Sequence, residues 1–527
     1  MPTNATRRGD LEECLRRLNE IGSALSVEHN LRTLLERILL EARRFTGADA
    51  GTLFLAAEDH LTFEITQNDT LGEFTGSREA PKIPPVPLNE GSASGYAAVT
   101  RKSLNIEDVY DETCEYQFEG PKLYDRMTGY RTNSMLVIPM QDHEDQVIGV
   151  LQLLNARDDD GSFVAFSDQD EELIQSLASQ AAVAVNNVRL IQDTEQLFES
   201  LIQVMATAID ERSPYTGGHI RRVAEMTMEL VRAVNTCDSG PLADAHFDEE
   251  QMDEIRIASW MHDIGKVTTP EWVVDKPTKL TTIFDRIELL RTRFDLMAKT
   301  VEADMLKQKV ASLERGEPLP TDLDQICTAK LQRLREDFEF LARANQPGEF
   351  MDDDDLERLN QIRTTHYSLD EQAGESSLTE DEFGNLCIRK GSLTDGERQK
   401  INDHAAMSIK MLGQIPFTRS LRQVPDIAGA HHEKLDGSGY PLGLKGSDIS
   451  LQARILALVD IFESLSADDR PYRAKPMPRD LVLRILEEEV DAGHLDRDVF
   501  DLFMREQLYV KLDEIKAQMA QKPQAQS

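Results

Sequence analysis

The sequence predicts an α+β sensor-like domain, then an all-α helical domain that carries a helical-hairpin insertion. Three observations predict it. Residues 11–190 alternate amphipathic helical stretches with short β-rich runs. Residues 200–282 and 391–510 read as successive helices, with a charged, periodically apolar segment between them. The chain has 527 residues, too many for one ordinary core, so length implies roughly two to four domains.

Within 11–190, LEECLRRLNEIGSAL and LRTLLERILLEARRF place apolar residues three and four apart, the spacing of one helix face. GTLFLA, HLTFEIT, SMLVIPM and VIGVLQLLN are strand-like runs separated by polar turns. DEELIQSLASQAAVAVNNVRL closes the region as a helix and continues into DTEQLFESLIQVMATAID with no Gly or Pro break. Residues 186–205 thus read as a connecting helix, a natural mechanical link and a natural dimer seam, so a homodimer is expected. One ordinary amphipathic helix is the competing reading.

In the segment 283–390, Ile283, Ile287, Leu290, Phe294, Met297, Val301 and Met305 recur at spacings of about four and three. GEPLP interrupts them, and Cys327, Leu331, Leu334, Phe338 and Leu341 resume the stripe. Two stripes around a Pro/Gly turn predict an antiparallel helical hairpin with a structural role. Residues 511–527 read as a frayed tail.

Composition narrows the function. A formal net charge of −37 repels nucleic acid polymers and anionic membranes. No run approaches the roughly 18 apolar residues of a membrane span, and the first residues lack the apolar stretch of a signal peptide. Cys14, Cys114, Cys237, Cys327 and Cys387 are scattered and odd in number, which fits a reducing cytoplasm better than a disulfide framework. A small anionic substrate would need a local cluster of cations.

WMHDIGK supplies the strongest chemical signal, with His262, Asp263, Gly265 and Lys266 at the end of the almost wholly apolar IRIASWM. A buried His-Asp pair is costly unless something pairs with it, and a metal ion does so. Four more islands bring matching ligand types: His219 in PYTGGHIRRVA, His404 in INDHAAMSIKML, His431 and His432 in GAHHEKLDGSGYPLG, and Asp460 in ARILALVDIFESL. Singly, each has an ordinary reading: a satisfied helix histidine, a Gly/Pro turn, a solvated loop. Together, five His and two Asp suit a pair of divalent cations, iron or manganese foremost, with magnesium and nickel also compatible. Such a pair activates water for in-line attack on a phosphodiester. Lys266 with Arg470 or Arg473 could hold the phosphate oxygens, and Tyr440 could stack on a base.

These stretches resemble the HD-GYP family, cyclic-di-GMP phosphodiesterases of the HD superfamily. HDIGK, HHEKLDGSGYP, DIFESLSADDRPYR and PYTGGHIRRVA match its signatures in order. The resemblance implies that His219, His262, Asp263, His404, His431, His432 and Asp460 bind metal. It implies that Lys266 holds substrate phosphate, and that Gly439, Tyr440 and Pro441 form the namesake triplet. Cyclic di-GMP would be cut to pGpG or GMP; a silent cyclic-dinucleotide receptor and a hydrolase for another cyclic nucleotide are the alternatives. Tyr215 stands where three-metal members carry Glu, which favours two ions. Leu435, Glu463 and Ser464 also depart from the usual residues. Residues 11–190 resemble a GAF domain, whose cyclic-nucleotide-binding members carry a motif matched here by Asn155, Phe166, Asp170 and Glu171, with Ala156 in place of its Lys. A small-molecule ligand, a cyclic nucleotide among the candidates, is the implied partner.

Overall fold

The computed structural model describes residues 30–75, 85–158, 160–212, 218–319, 321–348, 350–367, 375–467 and 477–521, with isolated positions 16, 20, 22 and 28. Most of the predicted first helix, LEECLRRLNEIGSAL, lies outside them, as do Tyr215, Arg470 and Arg473. The chain divides into two compact units, Met1–Phe198 and Glu199–Ser527.

The first unit is a sheet packed on both faces. Its elements are α1 (Leu31–Thr46), β1 (Ala48–Ala56), β2 (His60–Asn68), β3 (Glu73–Thr75), β4 (Val86–Pro87), α2 (Ala93–Thr100), β5 (Leu104–Ile106), α3 (Glu119–Thr128), β6 (Met135–Gln141), β7 (Val147–Arg157) and β8 (Phe163–Val164). The strands run antiparallel in the order β3-β2-β1-β7-β6-β5, with β4 on β2 and β8 on β7. Period-two alternation divides the core: Leu136, Ile138, Leu151 and Leu153 face α1 and the next helix, while Met135, Val137, Val150 and Leu154 face the other way. That next helix, α4 (Asp168–Asp210), is continuous. Ser167 and Asp170 begin it with a reciprocal capping pair, each side chain accepting from the other's backbone N–H.

The second unit is helical: α5 (His219–Asn235), α6 (Glu249–Met261), α7 (Glu271–Val274), α8 (Ile287–Glu314), α9 (Leu323–Ala344), α10 (Asp353–Arg363), α11 (Glu380–Leu386), α12 (Asp395–Leu412), α13 (Val424–Gly429), α14 (Leu451–Ser466), α15 (Arg479–Asp491), α16 (Arg497–Arg505) and α17 (Lys511–Gln521). A two-residue pair, β9 (His366–Tyr367) and β10 (Glu375–Ser376), sits in the insertion. The hairpin α8–α9 is present, but the insertion is more than a hairpin. Leu290, Phe294, Met297, Phe340 and Leu341 share an apolar core with Leu359 and Ile362 of α10, and with Leu280, Leu378 and Leu386. Ile283 does not belong to the stripe: it precedes α8 and is 94% exposed. The expected frayed tail is also corrected. Leu512 and Ile515 are buried, so residues through Gln521 hold as α17 against α5. Among the described residues no helix is long and apolar enough to cross a membrane.

Candidate metal centre

Five chain segments meet in the second unit. Asp248 and Gln251 open α6 with a capping box, and its C-cap is His262, so the apolar run delivers His262 and Asp263 at a buried helix end. The short 3-10 helix that follows crosses α12 closely. A Cβ on Gly265 would lie 1.9 Å from the His404 carbonyl oxygen, so only glycine fits. Ser408 fastens the crossing: its hydroxyl donates to the His262 carbonyl (2.8 Å) and accepts from the Gly265 N–H (3.0 Å).

The predicted histidines and aspartates converge. His219 Nε2 lies 3.5 Å from Asp263 Oδ2 and 3.3 Å from Asp460 Oδ1. His262 Nε2 lies 3.3 Å from Asp263 Oδ2 and 3.8 Å from Asp460 Oδ1. The other oxygen, Asp263 Oδ1, faces His404 Nε2 at 3.4 Å. His404, His431 and His432 form a second group whose ligand atoms lie within 4.8 Å of one another, as do those of His219, His262 and Asp263. Asp263 thus presents one oxygen to each group.

The outer nitrogens explain why the inner ones point inward. His262, His404 and His431 each direct Nδ1 at the carbonyl three residues earlier, Ser259 at 2.7 Å, Ile401 at 2.5 Å and Ala428 at 2.5 Å. At a carbonyl, Nδ1 must carry the proton, so Nε2 offers a lone pair. The Nε2 atoms of His404 and His431 nevertheless face each other at 3.4 Å. His262 Nε2 and Asp263 Oδ1 are buried with no hydrogen-bond partner. Opposed lone pairs and orphaned buried atoms are expensive in a protein interior. Divalent cations held by these imidazoles and by Asp263 would satisfy these atoms, so the donor set fits a metal centre.

The proton affinities split the same way. Burial, His432 and His262 hold His431 well below the usual imidazole range, and enclosure takes His432 down to about 3. Burial disfavours a proton on His219, but Glu463, Asp263 and Asp460 outweigh it and raise its pKa well above the ordinary value. Burial raises the Asp263 pKa, yet Lys266 and His262 carry it well below the carboxylate range. Lys266 Nζ donates to Asp263 Oδ2 at 2.6 Å from a side chain 26% exposed.

One supporting residue stands out only in the folded chain. In the sequence Glu463 is no more than a departure from the usual family residue. It lies one turn after Asp460 on α14, fully buried, bonded to His219 Nδ1 and, at 2.5 Å, to Arg222 Nε. A carboxylate behind a ligating imidazole fixes its ring and raises its basicity. The i, i+3 spacing from Asp460 is its one legible signal. Glu463→Gln should weaken metal affinity by roughly 10–100-fold, read by competition with a chelating dye; unchanged affinity would show that Glu463 only packs.

The remaining site residues fall as follows. Tyr440 stacks near His432, ring centroids 4.8 Å apart, with its N–H on the His432 carbonyl. Gly439 and Pro441 flank it in a tight loop. Leu435 packs with Ala430, Ile449 and Ala453 in a small apolar cluster. In the first unit, the four motif residues have structural partners. Asn155, in left-handed backbone, accepts from the Asn133 and Ser134 N–H groups and donates to Tyr130 and the Arg131 carbonyl. Phe166 is core, Asp170 caps α4, and Glu171 accepts from Ser103 and Gln175.

Comparison with known proteins agrees with this architecture. A GAF domain model matches residues 30–185, and HD domain models match 216–331 and 373–499. A 3′3′-cGAMP-specific phosphodiesterase from Vibrio cholerae is 45% identical over 115 residues, 22% of this chain and 24% of that protein. A probable cyclic di-GMP phosphodiesterase of the same organism is 36% identical over 128 residues, 23% of this chain and 28% of that protein. The chain thus spans about a quarter of the length of these relatives. Domain models, sheet topology and the helical His-Asp core concur: the chain carries a GAF domain followed by an HD domain.

Proposed function

We propose that the chain is a metal-dependent phosphodiesterase that hydrolyses cyclic di-GMP to pGpG, and to GMP after a second cut, under control of its GAF domain. The observation that carries this reading is the convergence of five imidazoles and two carboxylates from distant segments, all buried but the half-buried His432. His219, His262, Asp263 and Asp460 hold one cation; His404, His431 and His432 hold the other, with Asp263 shared. Iron or manganese suits these ligands, and such ions supply Lewis acidity and a nucleophile from water at neutral pH. Lys266 brings the side-chain cation seated at the shared carboxylate, placed to neutralise phosphate oxygens as charge develops. Tyr440 beside His432 offers a flat face to a base. Arg470 and Arg473 are proposed phosphate partners from sequence alone. The free thiols of Cys114, Cys237, Cys327 and Cys387 fit the cytoplasm, where such a second messenger is met.

The relative whose name specifies 3′3′-cGAMP supports a second reading, a hybrid cyclic dinucleotide as substrate. Anaerobically purified protein assayed on both dinucleotides, with product analysis, decides between them. Binding of either by metal-replete protein without cleavage would instead favour a receptor.

The GAF unit would take a small molecule and the chain would act as a homodimer. Val183, Leu190 and Leu197 of α4 recur every seven residues, uncharged and 49%, 55% and 61% exposed, which suits a paired helix. Leu190→Asp with Leu197→Asp should convert a dimer into a monomer in sedimentation analysis; a wild-type chain that sediments as a monomer contradicts the pairing.

A further inference from the structure

Glu433 follows the His431-His432 pair and is 4% exposed. Among the described residues it has no cationic partner. Its carboxylate is satisfied by the backbone of the loop that follows: Oε1 accepts from the Leu442 N–H (2.6 Å) and Gly443 N–H (3.2 Å), and Oε2 from the Leu444 N–H (2.9 Å). This carboxylate therefore ties down the three residues that follow Pro441. Two further constraints press the loop there. A Cβ on Gly439 would lie 2.3 Å from the Lys434 nitrogen and 2.5 Å from the Glu433 Cα, so the chain can pass only as glycine. The Tyr440 N–H bonds the His432 carbonyl at 3.2 Å, which sets the Tyr440 ring on the His432 ring.

We infer that Glu433 is a positioning residue that holds Tyr440 over the second histidine group, and so sets affinity for the base of a nucleotide substrate without taking part in metal binding. The inference rests on the phosphodiesterase reading for its substrate, but its geometric half does not. Glu433→Gln keeps the volume and replaces one accepting oxygen with an NH₂ that meets a backbone N–H, donor against donor.

The test uses the full metal-loaded chain. Hydrogen exchange at the Leu442, Gly443 and Leu444 amides should accelerate in Glu433→Gln while metal content stays at the wild-type value. KM for cyclic di-GMP should rise about ten-fold, the worth of one lost base-stacking contact, while turnover of bis(4-nitrophenyl) phosphate, which has no base, is unchanged. Tyr440→Ala in the Glu433→Gln background should add little further, since both remove one contact. Unchanged amide protection, unchanged KM, additive effects or loss of metal would each overturn the assignment. If wild-type protein leaves cyclic di-GMP intact, the substrate reading fails by itself, and the exchange measurement still decides whether Glu433 holds the loop.

Discussion

Asp263→Asn should abolish hydrolysis of cyclic di-GMP, by roughly a thousand-fold or more, and should empty both metal positions. Asp263 faces both histidine groups, with Oδ2 toward His219 and His262 and Oδ1 toward His404. Asparagine has nearly the same shape but one accepting atom and one NH₂. Whichever way it turns, one group of imidazoles meets a donor where it needs an anion. Lys266 also loses its ion pair with this carboxylate. The fold should survive, because the crossing of the His262 segment and α12 is fastened by Ser408 and Gly265 rather than by this side chain. Circular dichroism checks that point, elemental analysis the metal and product analysis the rate. Full metal with full turnover in this variant would refute the shared-ligand assignment.

Chelation of the wild-type chain should remove activity and lower the melting temperature by roughly 5–10 °C, the shift expected when ligands worth a few kcal/mol leave a domain of this size. The reason lies in the bare cluster. Without cations, protons on His219 and His262 must balance Asp263, Asp460 and Glu463, and the facing Nε2 atoms of His404 and His431 have nothing between them. Metal binding should release protons as it displaces them. Manganese added back should restore both melting temperature and turnover. Identical melting curves and rates before and after chelation would contradict a metal at this site.

Much of the fold and all seven candidate metal ligands are legible in the amino-acid sequence. Strands β1, β2, β6 and β7 and helices α1 and α4 show their periodicity because each buries a long continuous face. The two- and three-residue strands β3, β4, β5 and β8 exist only through their pairing partners, which no local pattern encodes. Helix α10 is hidden by its run of four aspartates, three of which occupy the first turn, where they suit the helix dipole. The candidate ligands are legible because imidazoles and carboxylates are rare beside apolar runs. Their supports are not. Glu463 reaches His219 across 244 positions, and Ser408 reaches the His262 carbonyl across 146. Such partners are chosen by the folded geometry, and their residue types alone are commonplace.

The most direct measurement is the ratio of divalent metal to chain in anaerobically purified, folded protein. Convergence of His219, His262, Asp263, His404, His431, His432 and Asp460 predicts two ions per chain. Folded chain that holds none, even when offered iron and manganese, would contradict it.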